Sequence, residues 1–324
     1  MYIPYVVPCL FHVWLTNAND LTDKIRGSIS GTSYSHQCDA LHRPFAARNI
    51  HIYIRHFNSR QMAANEQDDG MEAFLENRRN WVAPNPSARN PQISKESNQA
   101  DLIEEGYQYD GHKTWGFVIY RTTYDSDEDW TEFIRRLRWW TTDSMEFYGG
   151  LDVLERMAWT VFDDRKQFDG ADTAAVRRHF LDWAETAVLS EQQDADGNPP
   201  VALEHAPRYS YGGSPRYRYC IQVDADALKS CVHDAPPPED YSSAKTGWVK
   251  VIDKKWITRS ENPLFAGKPT NPHYYDHEPV EGNTEEHVGW LKAPLMGVMV
   301  GFYHMFRDLN GYGITYRRPP TVCE

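Results

Sequence analysis

The stretch from Ser214 to Asp224 shows the clearest alternation of polar and apolar positions in the chain. Side chains alternate across a β-strand, so this stretch predicts a strand with two chemically different faces. Its apolar face would carry Tyr217, Tyr219, Ile221 and Val223, and its polar face would carry Arg216, Arg218, Cys220, Gln222 and Asp224. The polar face could lie in solvent or line a polar cleft, and the first alternative is favoured because antiparallel sheets commonly keep one wet face.

A second strand is predicted over Trp115–Tyr124, which is apolar or aromatic on both faces and therefore suits the centre of a sheet. A capping-box pattern at Asp125 and Glu128 then opens an amphipathic helix. The apolar stripe of this helix comprises Trp130, Phe133, Ile134 and Leu137. Further helices are predicted over about 143–158, from about 172 and over about 294–306, and further strands over 50–57, 247–253, 288–292 and 313–319.

Because strands do not alternate strictly with helices, the pattern predicts an α+β fold with a mixed or mainly antiparallel sheet and packed helices. Residues 1–110 are expected to form an irregular N-terminal region with one strand, and residues 112–320 the α+β core domain. Residues 82–100 are rich in Pro, Asn and Ser, which predicts an exposed linker or a disordered loop.

The 324 residues are 40% apolar and carry a formal net charge of -12. This charge argues against non-specific coating of nucleic acid, which needs a positive surface, but it is compatible with a local basic patch. Five cysteines without a CxxC pair indicate reduced thiols. The apolar N-terminus lacks the basic residues of a signal peptide, and no run has the length of a membrane helix, so a cytoplasmic protein without a membrane partner is expected.

Common signatures of nucleotide binding, α/β-hydrolases and zinc proteases do not occur, and neither a cofactor nor a metal is predicted. His273 and His277 have a spacing that could hold a metal on a helix, but the flanking prolines favour a solvated loop. Cys220 would be a nucleophile if Arg216 or Arg218 lowered the pKa of its thiol, although an inert buried thiol is the more common case.

Carboxylates follow several apolar runs and so would lie at strand ends, where functional groups are commonly presented. Asp224 and Asp253 are candidates for a substrate site, because a buried carboxylate can hold a guanidinium group through two hydrogen bonds. Turn formation and helix capping are the structural alternative. The candidate site comprises Cys220 and Asp224 as catalytic residues, with Tyr120, Arg121, Arg216, Tyr217, Asp253 and Trp290 as substrate-binding residues.

Basic and aromatic residues occur side by side in four clusters. Together they could form one RNA-facing patch, because Arg and Lys contact phosphates while aromatic rings stack on bases. The structural alternative is that arginine stems pack on neighbouring rings. The candidate RNA-binding residues are Arg135, Arg136, Arg138, Lys254, Lys255, Arg317 and Arg318.

Four motifs taken together resemble a large group of filamentous-fungal hypothetical proteins over about residues 114–320. The motifs are Thr114-Trp-Gly-Phe-Val-Ile-Tyr-Arg-Thr-Thr-Tyr124, Pro215-Arg-Tyr-Arg-Tyr-Cys220, Val288-Gly-Trp290 and Tyr316-Arg-Arg-Pro-Pro320. Among such fungal proteins, the chain is similar in size and setting to the arginine-containing cyclodipeptide synthases, which form a cyclic dipeptide from arginyl-tRNA and a second aminoacyl-tRNA. Bacterial cyclodipeptide synthases have a Rossmann-like parallel sheet and a serine nucleophile. The pattern analysis finds no such βαβ arrangement here, so none of their catalytic residues is transferred.

The resemblance implies a cytoplasmic transferase of fungal secondary metabolism that binds aminoacyl-tRNA and an aminoacyl substrate, but not DNA. Two alternatives remain open. One is a small-molecule enzyme of another class that uses the polar strand face as a cleft. The other is a non-catalytic interaction protein.

Overall fold

A computed structural model describes residues 83–200, 213–240, 246–265, 277–308 and 310–323. The predicted strand at 50–57 and the candidate metal ligand His273 lie outside the described residues. Within the described ranges, no helix is both long enough and apolar enough to cross a membrane.

The described part of the chain contains one five-stranded mixed sheet, which confirms the predicted α+β class. Its strands are β1 (Val118–Arg121), β2 (Val161–Phe162), β3 (Tyr219–Val223), β4 (Trp248–Asp253) and β5 (Trp290–Pro294), in the spatial order β2-β1-β3-β4-β5. The first three strands are parallel, whereas β4 and β5 are antiparallel to their neighbours. Register pairs include Tyr120 with Gln222 and Gln222 with Lys250, so these three residues lie side by side across the sheet.

Helices cover both faces of this sheet. They are α1 (Gln99–Tyr109), α2 (Asp127–Tyr148), α3 (Leu151–Leu154), α4 (Arg165–Phe168), α5 (Thr173–Gln192), α6 (Ala225–Val232), α7 (Tyr303–Met305) and α8 (Gly311–Thr315). A π-helical turn, Val298–Phe302, leads into α7, and 3-10 turns occur at Pro215–Tyr217, Pro238–Asp240 and Pro263–Phe265.

The two longest helices pack on opposite faces. On one face, Phe133 and Leu137 of α2 share a core with Ile119 and Ile221. On the other face, Phe180 of α5 shares a core with strand residues including Tyr120 and Cys220. The chain therefore crosses from β1 to β2 over one face and from β2 to β3 over the other.

This alternation of strand and helix differs from the sequence-based expectation that no βαβ pattern is present. The unit β1-α2-β2-α5-β3 is a doubly wound arrangement with β1 in the middle. Strand β2 has only two residues, Val161 and Phe162, and so produces too short an apolar run to be recognised as a strand.

Local capping determines where α2 begins and ends. Its N-cap is Ser126, whose hydroxyl accepts from the backbone N–H of Asp129, so the predicted capping box at Asp125 and Glu128 is wrong. The helix stops at Gly149, which has a φ of 68°. A Cβ at Gly149 would lie 2.5 Å from the carbonyl oxygen of Arg89, so backbone from another segment closes over this end. The predicted separate helix over 143–158 is therefore wrong.

The segment 83–98 is not the predicted exposed linker. Ile93 is buried in the main core, and Asn98 is 0% exposed. The Asn98 amide caps α1 and donates to the carbonyl oxygen of Tyr148 at 2.9 Å. Arg89 forms ion pairs with three carboxylates, those of Asp101, Glu104 and Asp152. The polar residues of the segment 83–98 therefore form hydrogen bonds and ion pairs within the protein. The proposed domain boundary at residues 110–112 directly follows α1, which shares the main core.

Two strands near the C-terminus differ from the predictions. The stretch 313–319 was predicted to be a strand, but it begins within helix α8. The strand predicted over 288–292 is observed at Trp290–Pro294. The two-faced strand is also shorter than predicted, because Pro215–Tyr217 is a 3-10 turn and only Tyr219–Val223 pairs with neighbours.

Candidate functional site at the carboxyl ends of β1 and β3

The two central parallel strands end side by side, at Arg121 and Val223. The helices that follow these strands both pack on the α2 face, whereas α5, which leads back to β3, packs on the opposite face. In open sheets of this kind, ligands bind outside the carboxyl ends of the strands, at the point where the strand order reverses. For this chain the strand order reverses at β1, which has β2 on one side and β3 on the other, and Asp224 directly follows β3.

We define the lysine cluster as Lys250, Asp224, Glu281, Gln222 and Thr173. The Nζ of Lys250, on β4, lies 2.9 Å from Oδ2 of Asp224 and 2.7 Å from Oε1 of Glu281. The other oxygen of Glu281 accepts from the hydroxyl of Thr173, the first residue of α5. Asp224 is also the N-cap of α6, where its Oδ1 accepts from the N–H of Ala227 at 2.9 Å.

The cation of this cluster is held charged by its partners. Burial disfavours the ammonium form of Lys250, but the nearby carboxylates of Asp224 and Glu281 outweigh burial and raise its pKa. The ammonium group also lies 4.4 Å from the ring centre of Trp290, within range of a cation–π contact. Lys250 is therefore a fixed positive charge and an unsuitable general base at neutral pH.

Gln222 contributes a buried acceptor that is left unpaired. Its Nε2 donates to the carbonyl oxygen of Ala171 at 2.9 Å and to the hydroxyl oxygen of Thr122 at 3.2 Å. A flipped amide would place two acceptors against each other at Ala171, so the orientation is determined. Its Oε1 is buried without a hydrogen-bond partner in the described part of the structure, and Gln222 is 1% exposed.

Glu281 reaches the cluster from the tip of a tight turn. The backbone groups of Val280 and Asn283 bond reciprocally at 2.9 Å, which leaves Glu281 and Gly282 as the two turn residues. Both have positive φ angles, 50° and 79°. Such turns favour Asn, Asp and Gly, so glutamate holds a strained conformation here.

Two of the predicted site residues, Asp224 and Trp290, meet at the lysine cluster, where both contact Lys250. Arg216 and Tyr217 lie at the opposite end of β3, because they precede the strand. The predicted single pocket containing Arg216, Cys220 and Asp224 is therefore wrong.

Arg216 and Tyr217 belong to a second polar group, which we define as the arginine cluster: Arg216, Glu191, Tyr217, Gln192 and Thr160. Arg216 is 0% exposed and bonds both oxygens of Glu191, at 2.8 and 2.7 Å. Its remaining N–H groups reach Thr160 Oγ1 and backbone carbonyl oxygens. The hydroxyl of Tyr217 donates to Glu191 at 2.8 Å and accepts from Gln192 at 2.6 Å.

Cys220 and Tyr120 lie under α5, and both are 0% exposed. Burial raises the pKa of the Cys220 thiol far above its usual range, and Arg177 offsets this only in part. A thiol that stays protonated and has no access to solvent is a poor nucleophile. Tyr120 hydrogen-bonds Nδ1 of His179 at 2.9 Å among aromatic rings, which is a packing role.

Arg121 and Asp253 lie at different edges of the sheet. Arg121 ends β1 and pairs with Asp127 and Asp163, while its guanidinium lies 4.4 Å from the ring centre of Tyr124. Asp253 ends β4, opposite Tyr219 at the start of β3, so it is remote from Asp224. Burial raises the pKa of the Asp253 carboxyl.

The candidate RNA-binding arginines of α2 are largely occupied by partners within the protein. Arg135 pairs with Glu132 and Glu239, and Arg136 pairs with Glu132. Arg136 is 5% exposed and also donates to two backbone carbonyl oxygens. Arg138 is exposed, with its guanidinium 5.1 Å from the ring centre of Trp159.

The remaining candidates lie after β4 and after α8. Burial and the adjacent Lys255 lower the pKa of Lys254. Arg317 donates to nearby carbonyl oxygens, and Arg318 bonds those of Asn283 and Glu285 at 2.9 Å each. These residues contact different elements from the α2 arginines.

Lys250, Glu281 and Thr173 were not identified from the sequence. Lys250 gave a usable signal, because it is a single cation between Val249 and Val251 in an otherwise apolar strand. Glu281 and Thr173 gave none, since Glu281 meets Lys250, and Thr173 meets Glu281, only through contacts distant in sequence.

Within the described ranges, no group of three or more His, Cys, Asp or Glu side chains is placed to hold a metal ion. His277 instead pairs with Glu286 at 2.6 Å. Comparison with protein-family models, curated proteins and solved structures finds no match to this chain.

Proposed function

We propose that this protein is an enzyme that binds an amino-acid-derived substrate at the carboxyl ends of β1 and β3. We further propose that its reaction is the synthesis of an arginine-containing cyclic dipeptide from aminoacyl-tRNA. The observation that carries the first proposal is the position of the lysine cluster at the carboxyl end of β3, next to β1, where the strand order reverses.

The charges of the cluster suit a substrate with a cationic group. Asp224 and Glu281 share one cation, Lys250, so their combined charge exceeds that of their partner. Their side chains are 26% and 35% exposed, so a substrate can reach both side chains from outside. A guanidinium could hydrogen-bond to the carboxylate of Asp224, because planar guanidinium groups match carboxylate geometry.

The parallel half of the sheet adds support for the specific reaction. The bacterial cyclodipeptide synthases have a Rossmann-like parallel sheet, and β2, β1 and β3 form a doubly wound parallel unit here. The antiparallel strands β4 and β5 depart from that arrangement. The buried Cys220 is not assigned a role in the reaction.

A small-molecule enzyme of another class is the second candidate, and the placement of the basic residues favours it. Arg135 and Arg136 are neutralised by Glu132 and Glu239, so α2 offers little free positive charge for an RNA backbone.

Expression of the protein in bacteria, followed by mass spectrometry of the medium, tests the specific reaction. We expect cyclic dipeptides that contain arginine, and we expect Asp224→Asn to lower their yield at least about tenfold, a change of about 1.4 kcal/mol in the barrier. Asp226→Asn, an exposed carboxylate two residues away, is the matched control. A medium without such products would reject the cyclodipeptide proposal.

The requirement for RNA separates the two candidates. In a reconstituted reaction, ribonuclease treatment should abolish product, and product formation should fall steeply with salt because phosphate contacts release counterions. Activity that survives both treatments would favour the small-molecule enzyme.

A further inference from the structure

The lysine cluster combines three features that a structural ion pair does not need. Its cation lies on a central strand, one carboxylate comes from a strained turn, and a buried acceptor beside it has no partner among the described residues. Together, these three features indicate what kind of ligand the site described above binds.

Glu281 is the component that can leave. It projects from a two-residue turn, and its side chain is 35% exposed, so it can swing into solvent without opening the core. Lys250 cannot move in the same way, because its backbone pairs with both β3 and β5. Asp224 is fixed as well, since it caps α6.

The position that the Glu281 carboxylate occupies suits any small anion. It receives a hydrogen bond from Thr173 at the start of the twenty-residue helix α5 and an ion pair from Lys250. The positive end of a helix dipole and a buried ammonium group both favour a negative charge there. An external carboxylate would take the same contacts and keep the local charge unchanged, and a phosphate would take them with additional negative charge.

The amide oxygen of Gln222 requires a hydrogen-bond donor from the ligand. Its Nε2 is committed to Ala171 and Thr122, so only its Oε1 is available, and a buried acceptor without a partner is costly. Ala171 directly precedes Asp172, the N-cap of α5, which places this amide at the same helix start as Thr173. An N–H group of a ligand would supply the missing hydrogen bond.

We propose that the lysine cluster binds small molecules in which an anionic group stands next to an N–H donor, and that Glu281 is an internal carboxylate that the ligand displaces. The inference rests on the site assigned under the proposed function, but not on the product formed there. The anion can be a carboxylate or a phosphate, since both would accept from Lys250 and Thr173.

Calorimetric titration of the full chain with two matched pairs of probes tests this inference. Glycine and acetate share a carboxylate, whereas O-phosphoethanolamine and ethyl phosphate share a phosphate, and only the first member of each pair carries an ammonium donor. Removing an internal competitor raises apparent affinity. We therefore expect Glu281→Gln to tighten binding of at least one donor-bearing probe by about tenfold, which would occur if the closed turn is populated at about 90%.

A second variant guards against loss of the turn. Glycine adopts positive φ without strain, so Glu281→Gly should keep the turn and give the same gain in affinity. Glu278→Gln removes an exposed carboxylate from the same segment and should leave the affinity unchanged. Lys250→Met should abolish binding of every probe, and Gln222→Met should remove the preference for donor-bearing probes.

The test is whether the Glu281 variants bind the probes more tightly or more weakly than the wild type. If Glu281 had only a structural role, both of its variants would bind the probes as weakly as the wild type or more weakly, and that result would overturn the inference. Failure of all four probes to bind either Glu281 variant would overturn it as well. A gain with glycine alone identifies a carboxylate ligand, and a gain with O-phosphoethanolamine alone identifies a phosphate ligand. Because no cyclic dipeptide is measured, this result is independent of the test of the proposed reaction.

Discussion

The arginine cluster and the lysine cluster both bury a cation beside a glutamate. They differ in whether all of their polar groups have hydrogen-bond partners. Arg216 is 0% exposed, and each of its N–H groups has an acceptor. The lysine cluster has a half-exposed glutamate on a strained turn and an unpaired acceptor. We call the arginine cluster saturated, because every N–H group of its cation is paired, and the lysine cluster unsaturated. A saturated cluster stabilises one structure, whereas an unsaturated cluster can exchange one of its partners for a ligand.

The largest effect is expected from breaking the saturated cluster. Arg216→Met should lower the free energy of unfolding by about 3–5 kcal/mol, because it leaves Glu191 charged and several buried acceptors unpaired. Urea denaturation at pH 7 measures this loss. Arg317→Met, at an exposed position, is the control and should change stability by less than about 0.5 kcal/mol. Equal stability of the two variants would contradict the structural role of Arg216.

A smaller loss is expected at the unsaturated cluster. Lys250→Met should cost only about 1–2 kcal/mol, because Asp224 is already partly exposed to water and Glu281 can turn toward water once the cation is gone. The same denaturation experiment applies. A loss as large as that of Arg216→Met would show that both clusters are structural and would weaken the comparison.

The free energy of unfolding should depend on pH in opposite directions at the two clusters. Burial would raise the pKa of the Glu191 carboxyl, but its hydrogen bonds and ion pair with Arg216 outweigh burial and lower it. The contribution of Glu191 is therefore present above its unfolded pKa of about 4.3 and is lost as the pH falls through the lower folded value. The raised pKa of Lys250 gives the opposite case: its contribution is present below about pH 10 and is lost as the pH rises through the folded value.

Free energies of unfolding measured between pH 3 and 11 give both the acid limb and the alkaline limb of the stability profile. Glu191→Gln should flatten the acid limb, and Lys250→Met should flatten the alkaline limb. Either variant altering only the opposite limb would contradict the assignment of these pKa shifts.

The smallest effect is expected at Cys220. Its thiol should not react with a thiol reagent in the native protein, as read by mass spectrometry of the peptide that contains it, and should react after unfolding in urea. Cys220→Ala should leave probe affinity at the lysine cluster unchanged, because the thiol is sealed under α5. Rapid native labelling would reopen its candidacy as a nucleophile.

Sequence patterns predicted the fold where burial follows a regular period. The strand over Trp115–Tyr124, the helix that carries Trp130 and the strand ending at Asp253 are all observed, although β1 is shorter than predicted. Patterns failed where backbone geometry decides. Strand β2 is too short to show a period, and Pro215 starts a turn that removes Arg216 from the predicted strand face.

The candidate site was predictable only in part for a related reason. Asp224 was recognised because it follows an apolar run, whereas its partners Lys250 and Glu281 come from other parts of the chain. Residues that act through long-range contacts leave no local pattern, so Glu281 could be found only from the structure.

The packing of the segment 83–98 and α1 bears on how this protein can be shortened for laboratory work. A chain beginning at residue 112, where the sequence suggests a boundary, would lose Ile93, Ile103 and Tyr107 from the main core. It would also lack Arg89, Asp101 and Glu104, so Asp152 would lose its ion-pair partner. Such a fragment would present a fresh apolar surface beside α2 and would tend to associate with itself, so shortened versions should retain the residues from 83 onward.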